Sequence, residues 1–102
     1  MGAVCLNPIE AKKLANQCLK EGSVLITGHC RKALADDSLT TQDALKVIQA
    51  GAIYDAPELD MRSGRWKYRI EGNCPAGVWL VVVFCFDGDS LLVLITAFAI
   101  AR

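Results

Sequence analysis

The chain has 102 residues, of which 53% are hydrophobic, so residues 1–102 are long enough for one domain with its own core. Its 11 basic and 11 acidic residues cancel, which excludes a global positive field that would by itself attract nucleic acid. Any site for an anion must therefore come from local clustering of charge.

The first predicted element is a helix that begins at Asn7 and Pro8, a capping side chain followed by a proline at the first helical position. Apolar residues recur at helical spacing after it, and Gly22 predicts its end. Residues 23–27 then indicate either a short strand or an extended approach to His29.

A short helix is expected around residues 30–35, and a longer one follows it. Thr40 with Asp43 three residues later is typical of a capping box, in which side chain and backbone exchange hydrogen bonds at a helix start. Gly51 predicts the end of this helix.

The rest of the chain predicts a sheet. Residues 52–56 indicate a short strand and residues 57–64 a polar loop, and three strands are expected at about 65–71, 77–86 and 91–99. The last two strands are almost continuously apolar, so we expect them to be central or covered on both faces. The predicted fold is α+β, with N-terminal helices packed on an antiparallel sheet of three to four strands.

The composition indicates no metal site, cofactor or membrane contact. The five cysteines and single histidine show no CxxC pair and no zinc-ligand spacing, so we expect reduced thiols in the cytoplasm. Asp87, Gly88 and Asp89 cut the apolar C-terminal third into pieces too short to cross a bilayer. The N-terminus also lacks the basic start and long apolar run of a secretory signal.

Cations alternate with large apolar residues in the stretch GRWKYRIEG, residues 64–72. Successive strand side chains point to opposite faces, so Arg65, Lys67 and Arg69 share one face. That face either binds phosphate or an acidic partner, or is a solvated surface that discourages sheet-to-sheet association. The other face is expected to be core beneath the helices. Its members are Trp66, Tyr68 and Ile70.

Four segments resemble the domain-of-unknown-function family 4258: ITGHCRKAL around His29, SLTTQDALKVIQAGAI, WKYRIEG and LLVLITAF. The resemblance covers roughly residues 23–99. The family is bacterial and is grouped with small toxin ribonucleases of the barnase/colicin/RelE-like type and with toxin–antitoxin loci. It implies a helix-then-sheet fold and, by analogy, RNA cleavage without a metal.

The resemblance implies site residues as well. His29 would transfer a proton as base or acid, since an imidazole exchanges protons near neutral pH; the alternative is that it caps a helix or bonds a loop carbonyl. Arg31 and Lys32 beside it are candidate phosphate ligands, and the three cations of residues 65–69 are candidates by their spacing on one strand face. Thr96 would touch a phosphate, or bond a backbone carbonyl instead.

The chain departs from the family at two positions, since members typically carry arginines near the fourth and eighth positions after the histidine. Ala33 and Asp37 stand there. The expected function is therefore RNA cleavage by a toxin-like domain, with RNA and an acidic antitoxin-like protein as partners. The alternative is a non-catalytic module that binds nucleic acid, a protein or an identical subunit.

Overall fold

The computed structural model of the protein describes residues 5–101. Within them the helices precede most of the strands, in the order α1 (Pro8–Glu21), β1 (Ser23–Ile26), α2 (Gly28–Asp36), α3 (Thr41–Ala50), β2 (Glu58–Asp60), β3 (Arg65–Asn73), β4 (Trp79–Asp87) and β5 (Leu91–Ile100). The α+β class and the helices expected from the capping residues are confirmed.

Local hydrogen bonds explain where the helices begin. The Asn7 side chain accepts the Glu10 N–H at 2.8 Å, and the Glu10 carboxylate accepts the Asn7 N–H at 3.1 Å. Thr40 and Asp43 form the corresponding reciprocal pair at α3. Each pair satisfies backbone donors that the first helical turn leaves free, so both boundaries follow from residues close in sequence.

The sheet differs in detail from the predicted one, which was antiparallel with three to four strands. It has five strands in the order β1-β5-β4-β3-β2, and β1 pairs in parallel with β5 while the other neighbours are antiparallel. Residues 23–27 thus provide a strand that joins the far side of the C-terminal meander. β4 and β5 lie in the interior of the sheet, as their apolar sequences predicted.

Two further expectations about residues 52–64 were wrong. Residues 52–56 form no strand, and only Ala52 makes a single bridge, with Glu71. The expected polar loop instead contains β2, which pairs with the start of β3. β2 has only three residues and no apolar alternation, so the signal that identifies most strands is absent from it.

Within residues 5–101, all three helices pack on one face of the sheet, which we call the helix face, and the opposite face is the open face. Tyr68 and Ile70 are buried on the helix face and Trp66 packs at its margin. The prediction that the apolar side of GRWKYRIEG is core is therefore confirmed.

No helix within residues 5–101 combines the length and the apolar character that crossing a membrane requires.

The buried carboxylate of Asp43 connects α3 to the loop between β3 and β4. Its Oδ2 accepts the Thr40 N–H at 2.9 Å and the Thr40 hydroxyl at 3.1 Å, and its Oδ1 accepts the Ala76 N–H at 3.2 Å. The backbone donor of Thr40 contributes most to holding the pKa of Asp43 below its ordinary value, against the opposing effect of burial. The carboxylate is thus stabilised in its charged form.

Replacing Asp43 by asparagine is expected to lower the free energy of unfolding at neutral pH by about 1–3 kcal/mol. Because the pKa of Asp43 is lower in the folded chain than in the unfolded chain, its stabilisation is present above the ordinary aspartate value of about 3.9 and is lost as the pH falls through the folded-state value. The variant should therefore lose less stability on acidification. Urea unfolding at a series of pH values from about 7 to about 2 measures both effects.

Asp36→Asn is the matched control, because Asp36 is an exposed helical aspartate whose contact with Lys32 at 3.6 Å is an exposed ion pair. Such pairs contribute little to stability, so this variant should retain the pH dependence of the parent protein. Equal pH dependence in the parent protein and in Asp43→Asn would contradict the role assigned to Asp43.

Candidate functional site

The first turn of α2 holds His29 at the edge of β5. Thr27 is the N-cap of the helix, and its hydroxyl oxygen accepts the Cys30 N–H at 3.1 Å. The same hydroxyl donates to the Ile95 carbonyl at 3.0 Å, and the Thr27 N–H donates to the Leu94 carbonyl at 3.2 Å. Three hydrogen bonds therefore fix the turn that carries His29.

The His29 side chain is exposed. Thr27, and not His29, caps α2, and within residues 5–101 the imidazole forms no hydrogen bond or ion pair. His29 therefore neither caps a helix nor bonds a loop carbonyl, the two alternatives to proton transfer. His29 is thus an accessible imidazole on a rigid support.

Helix α2 contacts β5, whose second half, after Leu94, does not pair with β1. Its C-cap residue Asp37 accepts the Ala99 N–H through Oδ2 at 3.2 Å. Residues four apart lie in one row of a helix, so His29, Ala33 and Asp37 form a row whose end is in contact with β5. Two of the three positions in this row, Ala33 and Asp37, are those at which the family resemblance in the sequence implies arginine.

A β-bulge places Thr96 on the open face. Val83 pairs with Thr96 and Phe84 with Leu94, so Ile95 is an extra residue in β5. With uninterrupted alternation, Thr96 would share the helix face with Leu94; the extra residue reverses that phase. Because Thr27 binds the Ile95 carbonyl, the bulge both anchors α2 and orients Thr96.

Arg69 lies on the open face in the same cross-strand row as Thr96. Both residues pair with Val83, from opposite sides, so their backbones are about 10 Å apart. The Arg69 guanidinium carbon lies 5.7 Å from the centre of the Phe98 ring on β5, so the side chain crosses β4 toward Phe98, two residues beyond Thr96. Its buried Nε has no hydrogen-bond partner within residues 5–101.

Arg65 and Lys67 are accompanied by carboxylates. Arg65 forms an ion pair with Asp87 at 3.3 Å and pairs across strands with Asp60, while Lys67 pairs across strands with Glu58. The Arg62 N–H and, more weakly, the charge of Lys67 hold the pKa of Asp60 below its ordinary value. Because carboxylates lie beside Arg65 and Lys67, these two residues do not form a purely cationic surface with Arg69.

The two remaining candidates lie on α2. Lys32 is exposed and paired with Asp36, and Arg31 is exposed next to His29. Cys30, which separates Arg31 and Lys32 from His29 in the chain, is fully buried, and burial raises the pKa of its thiol. The thiol is therefore a core group and not a nucleophile beside the imidazole.

The turn of α2 that carries His29 and Arg31 is bonded through Thr27 to Leu94 and Ile95 of β5, next to Thr96 in the chain, whereas Arg69 lies two strands away on β3. Arg65 is four residues from Arg69 along β3, a distance of about 13 Å. β5 and β4 also separate α2 from β3, so Arg65 and Lys67 lie at the far corner of the sheet. Sequence reasoning missed Thr27, although a threonine directly before Gly-His is a common helix-capping signal.

No group of three or more His, Cys, Asp or Glu side chains within residues 5–101 is arranged to hold a metal ion.

The arrangement defines an α+β domain with three helices on one face of a mixed sheet, which is not closed into a barrel, and with an exposed imidazole at its edge. Residues 26–99 match the family described as Domain of unknown function (DUF4258), and the chain belongs to that family. Comparisons with curated proteins and with solved structures found no match.

Proposed function

We propose that this protein is a toxin-like domain that cleaves RNA without a metal ion, with His29 as its proton-transfer group. The observation that carries the proposal is the accessible imidazole of the sole histidine, in a turn held by the three hydrogen bonds of Thr27, two of which go to Leu94 and Ile95 of β5. The chain's membership of DUF4258 supports the proposal only by analogy, through the grouping of that family with toxin ribonucleases on which the resemblance in the sequence rests.

In this reaction a base removes the proton of a ribose 2′-hydroxyl, and the oxygen attacks the adjacent phosphorus. The P–O5′ bond then breaks, and an acid protonates the departing 5′-oxygen. The products are a 2′,3′-cyclic phosphate and a 5′-hydroxyl, so atoms and charge balance without a metal or a redox partner. His29 can fill either proton-transfer role.

Three side chains are the candidate donors for the phosphate. Arg69 and Thr96 both pair with Val83 on the open face, with the Arg69 guanidinium over the Phe98 ring, and Arg31 is adjacent to His29 in the chain. Arg brings a planar set of donors that fits the oxygens of a phosphorane-like transition state. Three further cations would attract RNA at longer range, namely Lys32, Arg65 and Lys67. Their acidic neighbours would weaken this attraction.

The proposal places the protein in the bacterial cytoplasm, together with an acidic antitoxin-like partner. All five cysteines are free thiols, and thiols stay reduced in the cytoplasm. An antitoxin would inhibit the domain by covering the region around His29.

A second function is favoured by a separate observation, the uncovered apolar surface of the open face. Leu25, Phe98 and Ile100 are 50%, 37% and 36% exposed on this face, and Asp37 places a carboxylate where an arginine would bind phosphate. Under this alternative the chain is a non-catalytic module that binds an identical subunit or another protein.

The two functions are distinguished by incubating the purified protein with a short RNA in the presence of EDTA. Cleavage that leaves 2′,3′-cyclic phosphate ends supports the first function. We also expect Ala33→Arg to increase the rate about tenfold or more, because it restores a guanidinium one helical turn after His29. If neither the parent protein nor Ala33→Arg cleaves RNA, and the protein is dimeric in solution, the second function is favoured.

A further inference from the structure

Two opposite charges lie at the two ends of one cross-strand row of the open face. Glu71 pairs with Val81, and Val81 pairs with Phe98, so these three residues form a row across β3, β4 and β5. Glu71 is the β3 end of the row, and the guanidinium of Arg69 lies over the Phe98 ring at the β5 end. The spacing of the strands separates the backbones of the two ends by about 10 Å.

Neither of these charges forms an ion pair within residues 5–101. Glu71 is only 9% exposed, and Oε1 of its carboxylate accepts a hydrogen bond from a neutral group, the Trp79 indole. Oε2 has no hydrogen-bond partner within these residues and reaches the molecular surface. Charges that are largely removed from water are normally paired, because leaving one unpaired is costly. A cation brought to Oε2 from outside the chain would therefore be stabilising.

A second copy of the chain supplies both missing partners in one arrangement. β4 is the central strand of the sheet. If two copies pack open face to open face, a two-fold axis along β4 places β3 of each copy opposite β5 of the other and keeps every row opposite itself. Glu71 of one copy then faces the Arg69 guanidinium of the other copy, and symmetry repeats the contact. Packed sheets lie about 10 Å apart, a distance that these two side chains together span.

The surface around this row is apolar and large enough for a weak dimer. Phe98, Ile100 and Leu25 are exposed on the open face, and Val83, which lies on the axis, is half-buried. A face about 20 Å wide and about 25–30 Å long covers about 500–600 Å² of each copy. The two copies together bury about 1,000–1,200 Å², which is the size of weak and transient interfaces.

We propose that two copies of the chain dimerise through their open faces about this axis, with Arg69 of each copy paired to Glu71 of the other, and that the dimer does not cleave RNA. The effect on cleavage rests on the proposed function, whereas the dimer itself does not. The Arg69 guanidinium cannot bind a phosphate while a carboxylate occupies it, and the same contact covers Thr96. The monomer is thus the form that cleaves RNA.

Sedimentation velocity of the purified protein at a series of concentrations tests the dimer without RNA. We expect a monomer–dimer equilibrium with a micromolar dissociation constant. Arg69→Glu should weaken association about tenfold or more, because it sets two carboxylates against each other at both contacts. Arg62→Glu is the matched control, since it makes the same change of charge at an exposed residue of the turn before β3. It should associate as the parent protein does.

A mixture of two charge-reversed variants tests the symmetry. Glu71→Arg sets two cations against each other and should be monomeric by itself. In an equal mixture with Arg69→Glu, opposite charges meet at both contacts, so the two variants should form a heterodimer with about the parental affinity. Because Glu71 is buried, Glu71→Gln is a second variant that keeps an acceptor for the Trp79 indole and removes only the charge. It should weaken association about threefold or more.

The outcomes separate this proposal from the proposed function. A parent protein that is monomeric at about 1 mM, or a dimer that Arg69→Glu and Glu71→Gln leave unchanged, would overturn the dimer, and RNA cleavage by that protein would leave the proposed function standing. A dimer with the expected charge effects that cleaves no RNA on dilution would support the dimer and count against catalysis. Where both occur, the cleavage rate per chain should fall as the concentration rises through the dissociation constant, and a constant rate per chain would overturn the inhibition.

Discussion

Replacement of His29 by alanine is expected to lower the rate of RNA cleavage by about 100-fold or more, the usual contribution of a general acid or base. The fold should be unaffected, because the side chain is exposed and forms no hydrogen bond within residues 5–101. We expect the free energy of unfolding to change by no more than about 0.5 kcal/mol. Initial rates on a short RNA and a thermal melt measure the two quantities.

Gln42→Ala provides the matched control for this substitution. Gln42 is exposed and is the second residue of α3, as His29 is the second residue of α2. This variant should cleave RNA at the parental rate. A His29→Ala protein that is folded and as active as the Gln42→Ala protein would remove His29 from the reaction and leave the observed activity to another group.

The predictable parts of the fold were those encoded by residues close in sequence. Asn7 with Pro8, and Thr40 with Asp43, each determine a helix start through contacts within three residues. The alternation in residues 65–71 likewise determined which side of β3 is core. These features depend on local backbone geometry, which a short stretch of sequence specifies.

The parts that could not be predicted depend on pairs of residues far apart in the chain. β1 pairs in parallel with β5, and Thr27 bonds Ile95, 68 positions later. The bulge that turns Thr96 to the open face has no composition signal of its own in a run of Leu, Val and Ile. The site beside α2 therefore emerges only once the whole sheet has been assembled.

The charges around Arg65 and Lys67 likewise could not be predicted from residues close in sequence. Their positions on one face of a strand follow from spacing alone, whereas Glu58, Asp60 and Asp87 reach that face from two other strands. Cross-strand neighbours of opposite charge attract one another. Arg69 instead lies over Phe98 on β5, so among the three cations of the stripe it is the one on which the proposed phosphate binding depends.

Replacement of Gly51 by alanine is expected to have the largest effect on stability. A Cβ at this position would lie 2.7 Å from the Glu71 carbonyl oxygen and 2.7 Å from the Val47 carbonyl oxygen, both of them backbone atoms. Its backbone angles are ordinary, with φ −76° and ψ −176°, so the constraint is space and not conformation. Because backbone atoms cannot rotate away, α3 would have to move from β3, at a cost of about 2–4 kcal/mol.

Gly28→Ala is the control, because a Cβ there would meet nothing within 4 Å. It should leave stability unchanged or raise it by up to about 1 kcal/mol, as alanine restricts the unfolded chain. Urea unfolding followed by circular dichroism gives both free energies. The displacement of α3 should also disturb Glu71, which bridges Ala52 and holds the Trp79 indole. In a Trp66→Phe background, which leaves Trp79 as the only tryptophan, emission should therefore change in folded Gly51→Ala and not in Gly28→Ala. Equal stability of the two variants would show that the contact between Gly51 and β3 can relax.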